Sequence, residues 1–463
     1  MDTFGQFQNP LINRYATKEM VSIWSSENKF RLWRQMWTWL AECQMELGLP
    51  IQEEQLAEMR ENVDCVDLTA ASSREAILKH DVMSHLAVFS DQCSNAKPII
   101  HLGATSCFVT DNTELILIRE SLLLLKNRLR ELIEIIAKFC SKYRATCCLG
   151  WTHLQPAQLT TVGKRACLWL SDLLLDFENI DRQFNSLKAR AAKGATGTQA
   201  SFLFLFDGDE EKVKQLDQRL SVKMGFQDCY KITGQTYSRK VDSMIADALS
   251  GVNQSALKIG NDLRILAQKG ELKEAVSTYQ VGSSAMPYKR NPLTSERVCG
   301  LARFAISIHS NFAFNTGLQF LERTLDDSSN RRLALPQIFL ATSSVVELLR
   351  KIFSSVEVDE SAIEDCLQEE LPFIVTEKIL MAAAKKGFDR QEYHEKIRVH
   401  ALRVSADKGK RDLLELLSSD PSFDGLISAD ILDPNQHIGR AVQQVDELLK
   451  NEVADLGIEI ESH

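Results

Sequence analysis

Residues 104–149 read ATSCFVTDNTELILIRESLLLLKNRLRELIEIIAKFCSKYRATCCL and contain neither glycine nor proline, the residues that most readily interrupt a helix. The apolar residues of this segment recur at alternating steps of three and four, which aligns them along one face of a helix in a bundle or coiled coil. They are Leu115, Ile118, Leu122, Leu125, Leu129, Leu132, Ile136 and Phe139. We therefore predict one very long helix with one buried face.

Four further segments have the same helical character. The spacing of three and four returns in 166–187 and 241–266, and the segments 298–321 and 333–356 are strongly apolar. Pro336 falls near the start of the last segment, where a missing amide donor costs least. Apolar faces this long usually need more cover than one globular core supplies, so we expect an all-α central bundle that self-associates into a homo-oligomer.

The chain on either side of the bundle is more varied, which predicts three domains. Residues 1–105 form a mixed part with shorter helical patterns, residues 106–358 carry the long helices, and residues 359–463 contain short amphipathic pieces. The last part is punctuated by helix-breaking residues at Gly387, Pro421, Gly425, Pro434 and Gly439.

Composition and charge exclude several classes of protein. A hydrophobic content of 44% over 463 residues excludes disorder as the main state, and a net charge of -9 argues against binding nucleic acid or an anionic membrane. No apolar run approaches the roughly 18 residues of a membrane span. The eleven cysteines contain no Cys-x-x-Cys pair, and the first residues lack a secretion signal, so we expect reduced thiols and a cytoplasmic protein.

Residues 282–292, GSSAMPYKRNP, cannot continue a helix because Pro287 and Pro292 interrupt them. Most polar segments of this composition are ordinary connections between helices. This one packs two hydroxyls, two cations and an amide into eleven residues, a density of functional groups that favours a site.

The segment resembles the signature loop G-S-S-x-M-P-x-K-x-N-P of the fumarase/aspartase superfamily, whose members eliminate fumarate from substituted succinates. Six other segments resemble the adenylosuccinate lyase family in order and spacing, the animal type more than the bacterial. They are NRYA at 13–16, KHD at 79–81, GATS at 103–106, GWTHLQP at 150–156, GQTYSRK at 234–240 and LERTLDDS at 321–328. The resemblance spans essentially the whole chain.

This resemblance implies an anti β-elimination that cleaves a carbon–nitrogen bond in purine nucleotide biosynthesis. The implied substrates are adenylosuccinate, which gives AMP and fumarate, and succinylaminoimidazole carboxamide ribotide, which gives aminoimidazole carboxamide ribotide and fumarate. No metal or cofactor is implied. The family also implies a three-domain fold whose long-helix bundle builds a homotetramer with active sites shared between subunits.

The two proton-transfer roles map onto distant segments. The resemblance implies Ser283 as the general base, although Ser284 is an adjacent competitor that the sequence leaves open. A serine hydroxyl needs activation at neutral pH, and Lys289 and the loop amides are the available groups. His153 is the implied general acid, since an imidazole titrates near pH roughly 6.5 and can protonate a leaving nitrogen.

His80 lies between Lys79 and Asp81, an arrangement that could bind phosphate or orient the acid histidine through a carboxylate. The resemblance carries over His80 as a catalytic residue and Asp81 as a substrate contact. The sequence departs from the family here, because animal members usually have arginine before this histidine. Lysine keeps the charge but lacks the planar fork of a guanidinium, so a phosphate contact at Lys79 would be less directional or would move to a neighbour.

The other implied substrate contacts are Arg14, Tyr15, Thr105, Ser106, Thr152, Gln235, Asn291, Arg297, Arg323, Ser328 and Arg332. Thr105 and Ser106 also suit the start of the first long helix, where hydroxyls cap the chain and attract anions. Without the resemblance, Arg331 and Arg332 would be interpreted as a solvated charge pair.

Two alternatives stay open at the level of sequence. One is another lyase of the same superfamily, such as one acting on argininosuccinate. The other is a helical scaffold without catalytic activity, although the presence of both Ser283 and His153 argues against it.

Overall fold

A computed structural model describes residues 5–275, 282–406 and 412–460, and these residues are mainly helical. The extreme ends of the first and third predicted domains, 1–4 and 461–463, lie outside the described residues. Short helices come first, as predicted for the start of the chain: α1 (Lys18–Ile23), α2 (Ser26–Glu46), α3 (Glu53–Asn62), α4 (Leu68–Leu78) and α5 (Asp81–Gln92).

The five long helices predicted from apolar spacing are confirmed. The long helices are α6 (Ser106–Lys142), α7 (Val162–Ser186), α10 (Lys240–Gln268), α11 (Leu293–Gly317) and α12 (Asp326–Phe353). Two shorter helices, α8 (Ala200–Leu205) and α9 (Glu210–Lys223), lie between α7 and α10. The apolar face predicted for α6 is buried throughout, from Leu115 to Phe139. Local periodicity therefore identified the elements that form the core.

One detail of α12 differs from the prediction. The helix begins at Asp326, so Pro336 lies in its interior and not near its start. The missing amide of Pro336 leaves the carbonyl of Arg332 without its usual helical donor. The sequence pattern began at Leu333 because the first turns of the helix are polar, and a polar turn carries no apolar signal.

The segment after α6 forms a β-hairpin that was not predicted. Strand β1 (Cys147–Thr152) pairs antiparallel with β2 (Gln155–Thr161), so residues 147–149 leave the helical pattern after α6 ends at Lys142. A second small pair joins β3 (Leu272–Lys273) to β4 (Glu357–Val358). The all-α class is confirmed, with sheets confined to these two pairs in the described residues.

The last part of the chain contains short helices: α13 (Glu360–Ile374), α14 (Thr376–Lys385), α15 (Arg390–Ala406), α16 (Leu413–Ser418) and α17 (Ala441–Leu448). Residues 282–292 contain no helix, and α11 begins directly after Pro292, as the proline pattern predicted. Among the described helices, α12 is long and apolar enough to span a membrane, but 67% of its apolar window is buried inside the protein.

The chain forms two compact units, each assembled from three separate segments. The first unit contains Met1–Leu129, Leu175–Leu257 and Val298–Leu348, and the second contains Arg130–Leu174, Lys258–Arg297 and Leu349–His463. Each long helix contributes residues to both units. The division into three domains at residues 105 and 358 stays a prediction.

Candidate active site

The first unit contains a cavity of about 680 Å³. Nine of the predicted site residues line it: Lys79, His80, Asp81, Thr105, Ser106, Gln235, Arg323, Ser328 and Arg332. Eight of these residues come from four sequence motifs that lie far apart in the chain, and Arg332 follows the last motif by four residues. The fold therefore gathers most of the predicted contacts of the first unit around one opening.

Helix ends position the histidine of this cavity. Lys79 ends α4 with a left-handed backbone, and His80 caps α5 by accepting the Met83 amide on Nδ1 at 3.4 Å. In a neutral imidazole the proton then resides on Nε2, which lies 3.4 Å from the hydroxyl of Ser106, the first residue of α6. His80 and the start of α6 thus present one polar wall.

The start of α12 contributes a second wall with both charge and hydroxyl groups. Arg323 donates to Asp327 at 2.8 Å, and Arg332 forms an ion pair with Asp81. Ser328 and Ser329 line the cavity from the first turn of the helix. A helix start with hydroxyls and neighbouring cations is suited to binding an anion.

A buried network of charges supports this wall from below. Arg239 makes two hydrogen bonds to Asp111, at 3.1 and 3.2 Å, and a third to Asp327 at 2.7 Å. Burial alone would raise the pKa of Asp111, but Arg239, followed by other arginines, holds it below the usual range. Because Asp327 also binds Arg323, the network fixes the position of a predicted substrate contact.

A second buried arginine, Arg331, continues the network. It pairs with Asp242 at 2.8 Å and with Glu114 at 2.6 Å, and it donates to the hydroxyl of Tyr237 at 2.6 Å. The sequence alone would have assigned Arg331 to solvent beside Arg332, and this interpretation was wrong for Arg331. Its charge is instead compensated inside the protein.

Sequence reasoning missed a polar stripe at the start of α6. Cys107, Thr110, Asp111 and Glu114 line the cavity, and their spacing puts them on one face of the helix. Polar residues at helical spacing directly before an apolar face were the signal that could have identified them. Lys29, on α2, also lines the cavity and belongs to none of the motifs.

Gln235 is held at the cavity by its backbone and its side chain. The buried Arg190 donates to the Gln235 carbonyl at 2.7 Å, and the Cys107 thiol approaches the Gln235 amide oxygen at 3.6 Å. Burial raises the pKa of Cys107 to about 11, so this thiol stays protonated at neutral pH. The amide of Gln235 therefore has a defined orientation.

The predicted acid, His153, lies in the second unit at the tip of the hairpin. Thr152 pairs with Gln155, so His153 and Leu154 form a two-residue turn with φ values of 54° and 59°. Both values are left-handed, a conformation that favours glycine and asparagine in such turns. The turn exposes both side chains, together with Thr152.

The signature loop also lies in the second unit. The amides of Ala285 and Met286 donate to the Ser283 hydroxyl at 3.3 and 3.1 Å. The side chain of Asn291 closes the loop by donating to the Gly282 carbonyl at 3.0 Å. Lys289 is exposed in the same loop.

The remaining predicted contacts lie elsewhere. Arg14 and Tyr15 occupy a helical turn at Leu11–Tyr15 and are not part of the cavity lining, and Arg297 is exposed on α11. Within the described residues, no hydrogen bond joins His153 to Ser283. In the parts of the chain that are described, no group of three or more potential ligands is arranged to hold a metal ion.

The fold is that of known lyases and cycloisomerases. Across 97% of this chain and 100% of the other, it matches the 3-carboxy-cis,cis-muconate lactonizing enzyme of Pseudomonas putida with a TM-score of 0.85 and 21% identity. A fumarate lyase from Mesorhizobium sp. BNC1 matches with a TM-score of 0.82 and 21% identity, over 96% of this chain and 100% of that one. Residues 25–306 match a family model described as "Lyase". Together with the cavity, these findings define a lyase of the fumarase/aspartase superfamily.

The particular family follows from closer relatives. Residues 372–448 match the model "Adenylosuccinate lyase C-terminus". The adenylosuccinate lyase of Schistosoma mansoni is 46% identical over 98% of this chain and 96% of its own length, and that of Saccharomyces cerevisiae is 44% identical with the same coverage. The chain belongs to the adenylosuccinate lyase family. These full-length matches favour that family over the alternative of an argininosuccinate lyase-like enzyme.

Proposed function

We propose that this chain eliminates fumarate from adenylosuccinate to give AMP, and from succinylaminoimidazole carboxamide ribotide in the same way. The observation that carries the proposal is the cavity, where cations, hydroxyls and an amide from four motifs meet in a member of this family. A substrate with one phosphate and two carboxylates requires such a set of donors, because each anionic group must be held as charge develops during elimination.

Ser283 is the proposed general base, which removes a proton from the methylene carbon next to the carbon that bears the departing nitrogen. Two amide donors at its oxygen favour the deprotonated form, since hydrogen bonds to an anion lower its energy. Ser284 is exposed, and its hydroxyl receives no comparable pair of bonds in the described residues. These contacts support Ser283 over Ser284. Lys289 supplies a nearby positive charge in the same loop.

His153 is the proposed general acid, which protonates the nitrogen as the carbon–nitrogen bond breaks. Its position at the tip of a turn supports this role, because the imidazole is presented away from the strands that hold it. The left-handed backbone at this residue costs more free energy with histidine than it would with asparagine or glycine. A residue kept against such a preference is typical of a functional site.

We also propose a cytoplasmic homotetramer in which one active site combines residues of several subunits. Large apolar side chains on the long helices remain exposed in the single chain, and a bundle shared between copies would cover them. The exposed fractions are 51% and 59% for Leu168 and Leu175 on α7, and 40% and 65% for Phe304 and Phe314 on α11. None of the eleven cysteines forms a disulfide, which is consistent with a reducing compartment.

The test is release of fumarate from adenylosuccinate, with argininosuccinate as the competing substrate. We expect activity with adenylosuccinate only, and no fumarate from it would support the scaffold alternative. Mixing Ser283→Ala with His153→Asn subunits examines the shared site: each variant alone is inactive, and random mixing restores about a quarter of the activity if the two residues act across subunits. Mixtures that stay inactive would contradict shared sites.

A further inference from the structure

Lys29 lines the cavity although no motif includes it. It lies in the first turn of α2, and its ammonium is 5.7 Å from the centroid of the Phe30 ring and 5.5 Å from that of Trp33. In the described part of the chain, no carboxylate forms an ion pair with it. Its ammonium therefore lines the cavity with no ion-pair partner among the described residues.

The other strong cations of the cavity are already compensated. Each lining arginine forms an ion pair with a carboxylate: Arg239, Arg323, Arg331 and Arg332. Lys29 and Lys79 are the lining cations for which the described part of the chain contains no ion pair.

The position of Lys29 is unfavourable for the free protein. A cation in the first turn opposes the helix dipole, whose positive end lies there. Burial lowers the pKa of Lys29, and the charge of Glu114 offsets this only in part. A residue that conflicts with both local preferences, and that gains no ion pair in return, indicates a ligand that supplies the missing negative charge.

The surroundings of Lys29 indicate which charge that is. Arg332 is the cation that acts on it most strongly, and Arg332 lies on α12 just beyond Ser328 and Ser329. Hydroxyls, a helix start and a cation offer several donors to one group, which suits the three acceptor oxygens of a phosphate better than the two of a carboxylate. Lysine binds phosphate as a point charge and needs no defined fork geometry.

We propose that Lys29 is a substrate-binding residue whose ammonium contacts the phosphate of the nucleotide, beside Arg332 and the first turn of α12. This inference rests on the proposed function, because it assigns one end of the cavity to the phosphate of that substrate. The same inference explains why position 79 can be lysine: Lys29 supplies a second positive charge, which compensates for the less directional contact of Lys79.

The experiment compares Lys29→Met and Lys29→Arg with the unaltered enzyme, using adenylosuccinate and the same substrate without its 5′-phosphate. We expect Lys29→Met to raise KM for adenylosuccinate about 10- to 100-fold and to leave kcat/KM for the dephosphorylated substrate unchanged, while Lys29→Arg restores most of the affinity. Equal losses with both substrates, or no loss with either, would overturn the phosphate contact.

Two controls separate this effect from a loss of structure. Lys126 also lies over two aromatic rings, 5.9 Å from Phe177 and 5.5 Å from Phe184, but it pairs with Asp181 and is not part of the cavity lining. Lys126→Met should therefore change KM less than about twofold. The melting temperature and size-exclusion profile of Lys29→Met and Lys126→Met show whether either variant is misfolded. If Lys29→Met is misfolded, Lys29→Arg is compared with the unaltered enzyme in its place.

Calorimetric titration with AMP and with adenosine provides a readout that requires no turnover. Lys29→Met should weaken AMP binding about 10- to 100-fold and leave adenosine binding unchanged. If the unaltered protein shows this phosphate-dependent binding but releases no fumarate, the proposed function fails and the phosphate contact stands. If Lys29→Met weakens the binding of AMP and of adenosine equally, the proposed phosphate contact is wrong, whatever the activity of the enzyme.

Discussion

Replacing His153 with asparagine should abolish activity and at the same time stabilise the protein. His153 has a φ of 54° in a two-residue turn, where Thr152 and Gln155 already form the last strand pair. A left-handed backbone costs an ordinary residue about 1–2 kcal/mol, and asparagine tolerates this region much better. The substitution therefore relieves backbone strain and removes the proposed proton donor in one step.

The expected magnitudes follow from these two effects. Loss of a general acid lowers kcat about 10²- to 10⁴-fold. Relief of about 1 kcal/mol raises the melting temperature by about 1–2 °C in a chain of this size. Steady-state fumarate release and thermal unfolding, measured on the same preparation, provide both numbers.

Asp207→Asn is the matched control, because Asp207 is exposed, has a φ of 50° and is not part of the cavity lining. It should leave kcat within about twofold and not lower the melting temperature. Two results would refute the reasoning for His153→Asn: a kcat within tenfold of the unaltered enzyme, or a lower melting temperature. The first would remove the acid role, and the second would remove the strained turn.

Three other substitutions follow from particular contacts. In Gly282→Ala the new Cβ would lie far inside van der Waals contact with the Lys289 carbonyl, so the loop must open. We expect kcat to fall at least about tenfold while the melting temperature stays unchanged. Full activity would contradict the closed loop. Arg239→Met leaves Asp111 buried without its main partner and should destabilise the protein by about 3–5 kcal/mol; thermal unfolding that matches the unaltered protein would show the network to be dispensable. Burial lowers the pKa of His85 to about 4, against roughly 6.5 in the unfolded chain, so the unfolded state binds more protons between these values and stability falls as the pH drops from 6.5 towards 4. His85→Phe should remove this part of the pH dependence, up to roughly 3 kcal/mol in denaturant titrations, and an identical pH profile in both proteins would exclude His85 as its source.

The helices were the most predictable part of the structure. A helix that buries one face repeats apolar residues every three or four positions, and this requirement is local, so α6, α7 and α10 could be identified from spacing alone. The hairpin was missed because its strands are short and no glycine or proline separates α6 from β1. The start of α12 was missed because its first turns are polar.

The residues of the candidate site also divide into those that a motif predicted and those that only the packing of helices brought to the cavity. Motifs predicted Ser106, Gln235 and Arg323, since each stands in a short segment with a recognisable pattern. Lys29 stands in no motif, and its contact with the cavity depends on where α2 packs. Likewise, Arg331 and Arg332 are neighbours in sequence, yet one is buried in ion pairs and the other is exposed.

The sequence alone determined which segments are helical and which residue types could perform an elimination, because periodicity and motifs are properties of neighbouring residues. Tertiary structure decided which charges compensate each other. Asp111 lies on α6, Asp327 lies on α12 and Arg239 directly precedes α10, so their pairing exists only once these segments pack. Compensation of this kind depends on the distance between two charges in space, because their attraction weakens over a few ångströms. The order of residues along the chain does not contain that distance.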